Sequence, residues 1–119
     1  MHKIPVDIAV IGGGPAGLAA AVKAKEEGFE KVILIERDKE LGGILNQCIH
    51  DGFGLIRFGK QLSGCEYSQR YIHMAKKAGV EIHTDTMVLE ITKDREVYAV
   101  SAEEGVSCWQ AGAIILAMG

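Results

Sequence analysis

In the first forty residues, short apolar runs alternate with polar or glycine-rich connecting segments. Val6–Ile11 is apolar except for Asp7, which is the pattern of a parallel strand covered on both faces. A helix is predicted over Pro15–Glu27, because proline is tolerated in a first helical turn and Gly28 can adopt the left-handed conformation that ends a helix. Lys31–Ile35 predicts the next strand. The chain therefore begins as strand, glycine-rich turn, helix and strand.

Helical spacing returns after a stretch without periodicity. Residues 44–64 contain several glycines and are expected to be irregular backbone with a short helical piece. Ser63 and Glu66 then form a capping box, and apolar residues recur at helical spacing, so a second helix is predicted over Cys65–Ala78. Its aromatic stripe is interpreted as core packing. Val80–Thr84 follows as a short strand.

From Thr86 onward the hydrophobic period changes to two residues, which indicates strands. Polar turns divide this part into three short strands, one beginning at Thr86, then Val97–Ala102 and Val106–Ala111. Tyr98 and Trp109 are expected to share one face of this antiparallel meander. The final apolar run, Gly112–Gly119, predicts a separate, buried parallel strand.

The end of the chain changes the expected domain organisation. A buried parallel strand normally leads into a further crossover, and nothing follows Gly119 in this sequence. We therefore expect a fragment of a longer protein. Apolar surface left uncovered in such a fragment would favour self-association.

Composition excludes several classes of function. The chain has 119 residues, a hydrophobic fraction of 48% and a formal net charge of −3, as expected for one small globular domain without a basic surface for nucleic acid. No apolar stretch reaches the roughly 20 residues that span a bilayer. Cys48, Cys65 and Cys108 lie far apart and match no metal-ligand spacing, so we expect no metal site and a reducing, cytoplasmic location.

The glycine-rich turn carries the clearest candidate chemistry. Gly12, Gly14 and Gly17 have the spacing G-x-G-x-x-G between a predicted strand and a predicted helix. Gly12 permits the tight turn, Gly14 allows close approach of a pyrophosphate, and Gly17 allows helix and strand to pack closely. Glu36, at the end of the next strand, is placed to bind a ribose 2′-hydroxyl. The alternative is a glycine-rich loop that binds nothing.

Other candidate residues have an ordinary structural interpretation beside the functional one. Arg37 could stack on an adenine ring or simply be solvated. Gly42-Gly43 indicates either a second close approach of backbone to a ligand or a plain turn. Cys48 and His50 could serve as a redox thiol and a general base, but a small buried residue and a loop histidine are the commoner roles.

Four short motifs carry a resemblance to a known family. They are GGGPAGLAAA at Gly12–Ala21, the pair Glu36-Arg37, the pair Gly42-Gly43 and the terminal Ala117-Met118-Gly119. With them, the whole chain resembles the flavin-binding part of the two-dinucleotide-domain flavoproteins, the family of glutathione and thioredoxin reductases. The resemblance implies the fold class α/β: a Rossmann-like parallel sheet with a βαβ dinucleotide-binding unit and a three-stranded antiparallel β-meander crossover.

The same resemblance implies FAD as the cofactor and residues 1–119 as the N-terminal part of an FAD-binding domain. NAD(P)H is then the expected co-substrate of the full-length oxidoreductase, whose NAD(P)-binding domain is missing here. FAD is favoured over a nicotinamide cofactor because nicotinamide domains rarely carry the second glycine pair and the meander. The expected contacts are Gly12, Gly14, Pro15, Ala16 and Gly17 at the pyrophosphate, Glu36 at the ribose, Arg37 and Val88 at the adenine, Gly42 and Gly43 along the chain of FAD, and Ala117 and Gly119 near the cofactor.

One departure from the family matters for chemistry. Its disulfide reductases carry C-x-x-x-x-C shortly after the double glycine, whereas here Cys48 stands alone, so no dithiol relay is expected. The stretch GGILNQCIHDGFG resembles instead bacterial FAD-dependent oxidoreductases related to opine and sarcosine oxidase subunits. No turnover is expected from this chain alone. The alternatives are an NAD-binding dehydrogenase domain and a non-catalytic FAD-binding module.

Overall fold

The computed structural model of the chain describes residues 2–42 and 64–118. Its elements are, in chain order, β1 (Lys3–Ile11), α1 (Pro15–Glu26), β2 (Val32–Ile35), α2 (Gly64–Ala78), β3 (Glu81–His83), β4 (Thr86–Ile91), β5 (Glu96–Ser101) and β6 (Gly105–Leu116). Apart from the last two predicted strands, each predicted helix and strand of these ranges is present, with ends that differ by a few residues. Among the first residues of these elements, the largest difference from the prediction is in β1, which begins at Lys3 rather than Val6.

The strands form one six-stranded sheet in the order β3-β2-β1-β6-β5-β4. The strands β3, β2, β1 and β6 are mutually parallel, and β5 and β4 continue the sheet in antiparallel fashion. A parallel sheet with a βαβ unit at its start and an antiparallel meander confirms the predicted fold class.

The prediction of two separate strands at the end of the chain is wrong, because β6 is continuous from Gly105 to Leu116. Its first half pairs with β5 and β1, and its second half continues beside β1. Gly112 lies close to β1, since a Cβ there would be 2.9 Å from the carbonyl oxygen of Asp7. Glycine at this position therefore allows the strand to continue past β1, where two separate strands had been predicted to meet.

One face of the parallel sheet is covered by the two helices. Leu18 and Ala21 of α1 and Ala75 of α2 are fully buried there against Val10 and Leu34 of the sheet. The aromatic stripe of α2 contributes to this core through Tyr71, which is also buried. The interpretation of that stripe as core packing is confirmed for Tyr71.

The other face of the sheet is covered by the meander, because the sheet curls over on itself. Alternate residues of β1 and β2, such as Ile11 and Ile33, pack with Val97 and Trp109 in a second core. The ring centroids of His83 in β3 and Trp109 in β6 lie 5.0 Å apart, although two strands separate β3 from β6 in the sheet. The meander is therefore the second layer of the fold.

The expectation that Tyr98 and Trp109 share a face is wrong. The register pairs Val97 with Trp109 and Tyr98 with Cys108. Since neighbouring residues of a strand point to opposite faces, Trp109 enters the core between the layers and Tyr98 lies on the outer face of the meander.

Apolar side chains are exposed near the end of β6. Leu116 and Met118 are 62% and 64% exposed. In the register of the described residues, the second half of β6 pairs with β1 alone. Self-association through this surface stays a prediction. Within the described ranges, no helix is long and apolar enough to cross a bilayer.

Asp7, the polar exception within β1, ties down the loop that follows α1. Its Oδ2 accepts hydrogen bonds from the N–H of Glu30 at 3.1 Å and of Lys31 at 2.9 Å. We expect Asp7→Ala to lower the free energy of unfolding by about 1 kcal/mol, because two backbone donors lose their partner. Asp7→Asn keeps an acceptor oxygen and should lose less in urea unfolding. Equal losses in the two variants would show that the carboxamide oxygen cannot replace the carboxylate.

An ion pair across the outer face of the sheet makes stability depend on pH. Lys3 of β1 pairs with Glu96 of β5, which also accepts a hydrogen bond from the Thr92 hydroxyl at 3.1 Å. The hydrogen bond from Lys3 is the main cause that lowers the pKa of Glu96, with a smaller contribution from Thr92, while burial opposes both. A carboxyl with a lowered pKa in the folded state contributes stability above its unfolded pKa and loses it as the pH falls through the folded value.

We therefore expect Glu96→Gln to be less stable than the wild-type chain at pH 7, and this difference to shrink below a pH of about 4. Urea unfolding of both proteins at pH 7 and pH 3 measures the difference. A difference that is the same at both pH values would contradict the role of the Glu96 charge.

Candidate dinucleotide-binding site

The turn between β1 and α1 is built so tightly that its first glycine is required. Gly12 has a φ of +114°, and its N–H donates to the carbonyl oxygen of Ile35 at 2.8 Å. A Cβ on Gly12 would lie 2.8 Å from the carbonyl oxygen of Ala117. Both the backbone conformation and the lack of space exclude a side chain here. The turn is thus held between the ends of β2 and β6.

The other two glycines of the motif have opposite surroundings. A Cβ on Gly17 would overlap the carbonyl oxygen of Gly12, so α1 can pack on the turn only if residue 17 lacks a side chain. Apart from its chain neighbours, a Cβ on Gly14 would meet no atom of the described residues within 4 Å. The space beside Gly14 is open on the side where a pyrophosphate is expected to approach, as the motif predicts.

The first turn of α1 presents backbone donors that have no partner among the hydrogen bonds of the described residues. The helix begins at Pro15 without a side-chain cap, and its first turn contains no acidic residue. The first helical hydrogen bond runs from the N–H of Leu18 to the carbonyl oxygen of Gly14 at 3.0 Å. The N–H groups of Ala16 and Gly17 therefore point out of the helix end, where the helix dipole is positive. This arrangement can stabilise an anion such as a pyrophosphate.

The Glu36 carboxylate lies directly beside the glycine turn. One of its oxygens, Oε1, accepts a hydrogen bond from the N–H of Gly13 at 2.7 Å, and Oε2 accepts one from the N–H of Asp38 at 2.8 Å. Each carboxylate oxygen can accept more than one hydrogen bond, so capacity remains for a ribose hydroxyl. Glu36 is half-buried at the edge of the site.

Gly42, the first residue of the second glycine pair, contacts the first glycine-rich turn. The N–H of Gly42 donates to the carbonyl oxygen of Gly13 at 2.7 Å, and Gly42 has a φ of +100°. The buried side chain of Leu41 also contacts this turn, since a Cβ on Gly13 would lie 2.5 Å from its Cδ2. Gly42 therefore lies against the first turn, and its contact with a cofactor stays a prediction.

Of the remaining predicted residues, the structure describes Ala117, Arg37 and Val88, and it places Ala117 closest to the turn in the chain of hydrogen bonds. The N–H of Ala117 donates to the carbonyl oxygen of Ile11 at 2.8 Å, which places Ala117 next to the turn. Arg37 is exposed on the loop after β2, and Val88 is half-buried in β4. The N–H of Thr86, the first residue of β4, donates to the carbonyl oxygen of Glu36 at 3.0 Å. Gly43, Cys48, His50 and Gly119 lie outside the described residues.

Sequence analysis missed two contributors to this site. Gly13 occupies the variable position of G-x-G, so the motif assigns it no role, yet its N–H holds Glu36 and its carbonyl oxygen holds Gly42. Leu41 looked like an ordinary loop residue but is buried against Gly13. The adjacent glycines at positions 12–14 were the one signal that the whole turn, and not just two positions of it, is crowded.

A cleft adjoins the loop that follows Glu36. It has a volume of about 380 Å³ and lies between the end of β3, the start of β4 and the β5–β6 turn. His83 borders it, half-buried and hydrogen-bonded to Glu81. The interpretation of His83 as a satisfied residue of the sheet surface agrees with this bond, but does not account for the contact with Trp109.

Comparison with known proteins shows what this chain is similar to. Residues 7–53 match the model of the FAD-dependent oxidoreductase family. The chain is related to FAD-dependent oxidoreductases. It is 27% identical over 114 residues to thioredoxin reductase of Helicobacter pylori, with 96% of this chain and 35% of that protein covered. It is 35% identical over 118 residues to ferredoxin–NADP reductase of Streptococcus pneumoniae, with 95% and 34% covered.

The chain is also similar in fold to a solved structure. The L-proline dehydrogenase of P. horikoshii superposes with a TM-score of 0.79 at 26% identity, over 99% of this chain and 23% of that one. The chain thus spans about a third of the length of the two curated relatives and a smaller share of this structure. The fold and the FAD-dependent character of the family agree with the resemblance drawn from the motifs.

Proposed function

We propose that this chain binds the adenosine diphosphate half of FAD and forms the FAD-binding portion of an NAD(P)H-linked oxidoreductase. One observation carries the proposal. Open space beside Gly14, the donors at the start of α1 and the Glu36 carboxylate lie together at the carboxyl ends of β1 and β2. Ligands of open parallel sheets bind at this edge.

Each part of the site has a separate task toward the cofactor. The N–H groups of Ala16 and Gly17 would hold the pyrophosphate, and Glu36 would accept hydrogen bonds from the adenosine ribose. Arg37 and the backbone of Val88 would border the adenine, while Gly42, Gly43, Ala117 and Gly119 would line the path toward the flavin. The flavin supplies hydride and electron transfer when bound, and the chain supplies position and surroundings.

The choice among cofactors rests on two features. A negative carboxylate at position 36 repels a 2′-phosphate, which disfavours NADP. The contact of Gly42 with Gly13 adds a second backbone wall beyond the pyrophosphate, and the meander covers the far face of the sheet; both features favour FAD over NAD. The relationship to FAD-dependent oxidoreductases supports the same choice.

The finer assignments follow from the sequence motifs. The single cysteine in GGILNQCIHDGFG supports a likeness to bacterial oxidoreductases related to opine and sarcosine oxidase subunits rather than to dithiol reductases. We further propose that residues 1–119 do not turn over substrate alone, since the NAD(P)-binding domain of the full-length protein is its missing partner. The dispersed cysteines, with Cys108 free, support a cytoplasmic location.

Titration with FAD, followed by flavin fluorescence, tests the proposal. We expect saturable binding of FAD, weaker binding of NAD and NADP, and weak binding of FMN, which lacks the adenosine half. Gly14→Val should abolish FAD binding without loss of folding, because the new side chain extends into the open space, where a Cβ has no atom of the described residues within 4 Å apart from its chain neighbours. Preference for NAD, or equal binding of FAD by the Gly14→Val variant, would contradict the proposal.

A further inference from the structure

His83 joins three parts of the fold through its imidazole ring. The ring Nε2 lies 2.7 Å from Oε2 of Glu81, and Nδ1 lies 3.6 Å from Oε1 of Glu104 in the β5–β6 turn. The ring centroid is 5.0 Å from that of Trp109, with 56° between the planes. His83 thus connects β3, the tip of the meander and the core between the two layers.

The charge of the ring decides how many of these contacts it satisfies. A neutral imidazole has one N–H and can donate to one carboxylate, whereas an imidazolium can donate to Glu81 and also carries a positive charge within ion-pair distance of Glu104. A cation within about 6 Å of an indole ring is also attracted to it. The other charged residues of the cleft are Asp85, Glu103 and Lys39, so acidic groups outnumber basic ones around the ring. A protonated His83 therefore holds the β5–β6 turn against β3 more strongly than a neutral one does.

The backbone of His83 leads directly to the candidate ribose-binding residue. The carbonyl oxygen of His83 accepts a hydrogen bond from the N–H of Glu36 at 2.8 Å. Just beyond, the N–H of Asp85 donates to the carbonyl oxygen of Asp38 at 2.8 Å, and that of Thr86 donates to the carbonyl oxygen of Glu36 at 3.0 Å. The backbone that carries the Glu36 carboxylate is therefore held by the segment that His83 anchors.

We propose that His83 is a positioning residue for Glu36, and that its protonation fastens the β5–β6 turn to β3 and raises affinity for the adenosine half of FAD. The part of this proposal that concerns FAD affinity rests on the proposed function. The link between His83 and Glu36 is a property of the protein without cofactor, and can be measured there. Histidine side chains ordinarily change charge between about pH 5 and pH 8, which sets the range to examine.

The first test uses the protein without FAD. Trp109 is the sole tryptophan of the chain, so its fluorescence reports on the ring 5.0 Å away, and an imidazolium quenches indole emission. From pH 8 to pH 5 we expect the emission to fall, and the amide NMR signals of Gly13 and Asp38, the two donors to Glu36, to shift along the same curve.

Three variants show whether His83 is the source of this change. His83→Gln should remove both pH responses, and Glu104→Gln, which alters an exposed turn residue, should weaken them without harm to the core. His73→Gln changes an exposed histidine of α2 and should behave as wild type. Emission and amide shifts that keep their pH response in both His83→Gln and Glu104→Gln would overturn the proposal.

The second test adds FAD. Wild-type affinity should rise roughly two- to fivefold from pH 8 to pH 6, the effect of a partly exposed ion pair, and should not change with pH in His83→Gln. An equal rise in the variant would overturn the link to the ribose site. Absence of FAD binding at every pH would contradict the proposed function instead, while the cofactor-free titration still decides whether His83 positions Glu36.

Discussion

Replacing Gly17 with alanine is expected to destabilise the chain by at least about 3 kcal/mol, a large part of the stability of a small domain. The added methyl group would overlap the carbonyl oxygen of Gly12, and its next neighbour is the carbonyl carbon of the same residue at 2.9 Å. Both atoms belong to backbone held between β2 and β6, so relief requires α1 to move off the sheet. The first core would open as a result.

Gly14→Ala is the matched control for this prediction. It adds the same methyl group in the same turn, where no atom of the described residues other than the chain neighbours lies within 4 Å and φ is −78°. We expect a change of no more than about 1 kcal/mol, the ordinary effect of alanine at an N-cap. Urea unfolding followed by circular dichroism compares the two variants. Equal stability of Gly17→Ala and Gly14→Ala would show that the close packing of α1 on the turn is not required.

Replacing Glu36 with alanine is expected to lower FAD affinity at least about tenfold. The variant loses the ribose acceptor and also the two hydrogen bonds that hold Gly13 and Asp38 in place. Hydrogen bonds to a charged group contribute about 1.5–3 kcal/mol each, and about 1.4 kcal/mol corresponds to a tenfold change in affinity. The loss should appear in the dissociation constant from a flavin fluorescence titration.

Two further variants separate the parts of this effect. Glu36→Gln keeps one acceptor oxygen and should have intermediate affinity. Glu40→Ala removes an exposed acid from the same loop and should bind FAD as wild type does. If Glu36→Ala and Glu40→Ala lost affinity equally, the effect would come from loop charge in general, and the specific role of Glu36 would be refuted.

The first βαβ unit was predictable because its signals are local. The apolar run of β1, the glycine spacing, Pro15 and the position of Glu36 all lie within thirty or so residues, and each acts through its own backbone conformation or its immediate neighbours. The same holds for α2, whose capping box and periodicity predicted its start to within one residue of Gly64.

The curl of the sheet was not predictable in this way. Contact between His83 and Trp109 depends on strand order and on the continuity of β6, and neither is encoded in the periodicity of one segment. Gly112 was assigned to the start of a separate strand, since its close approach to Asp7 is visible only once β1 and β6 are paired. Tyr98 and Trp109 were assigned to one face because the register across the β5–β6 turn was unknown.

The central claim is that the turn at Gly12–Gly14, the start of α1 and Glu36 together hold the adenosine diphosphate half of FAD. Amide NMR spectra of the labelled chain with and without FAD test it most directly. We predict that the largest shifts occur at Gly13, Gly14, Ala16, Gly17 and Asp38, while Lys3 and Tyr98 on the outer face do not move. Large shifts confined to the outer face, or none at the glycine turn at saturating FAD, would contradict the account.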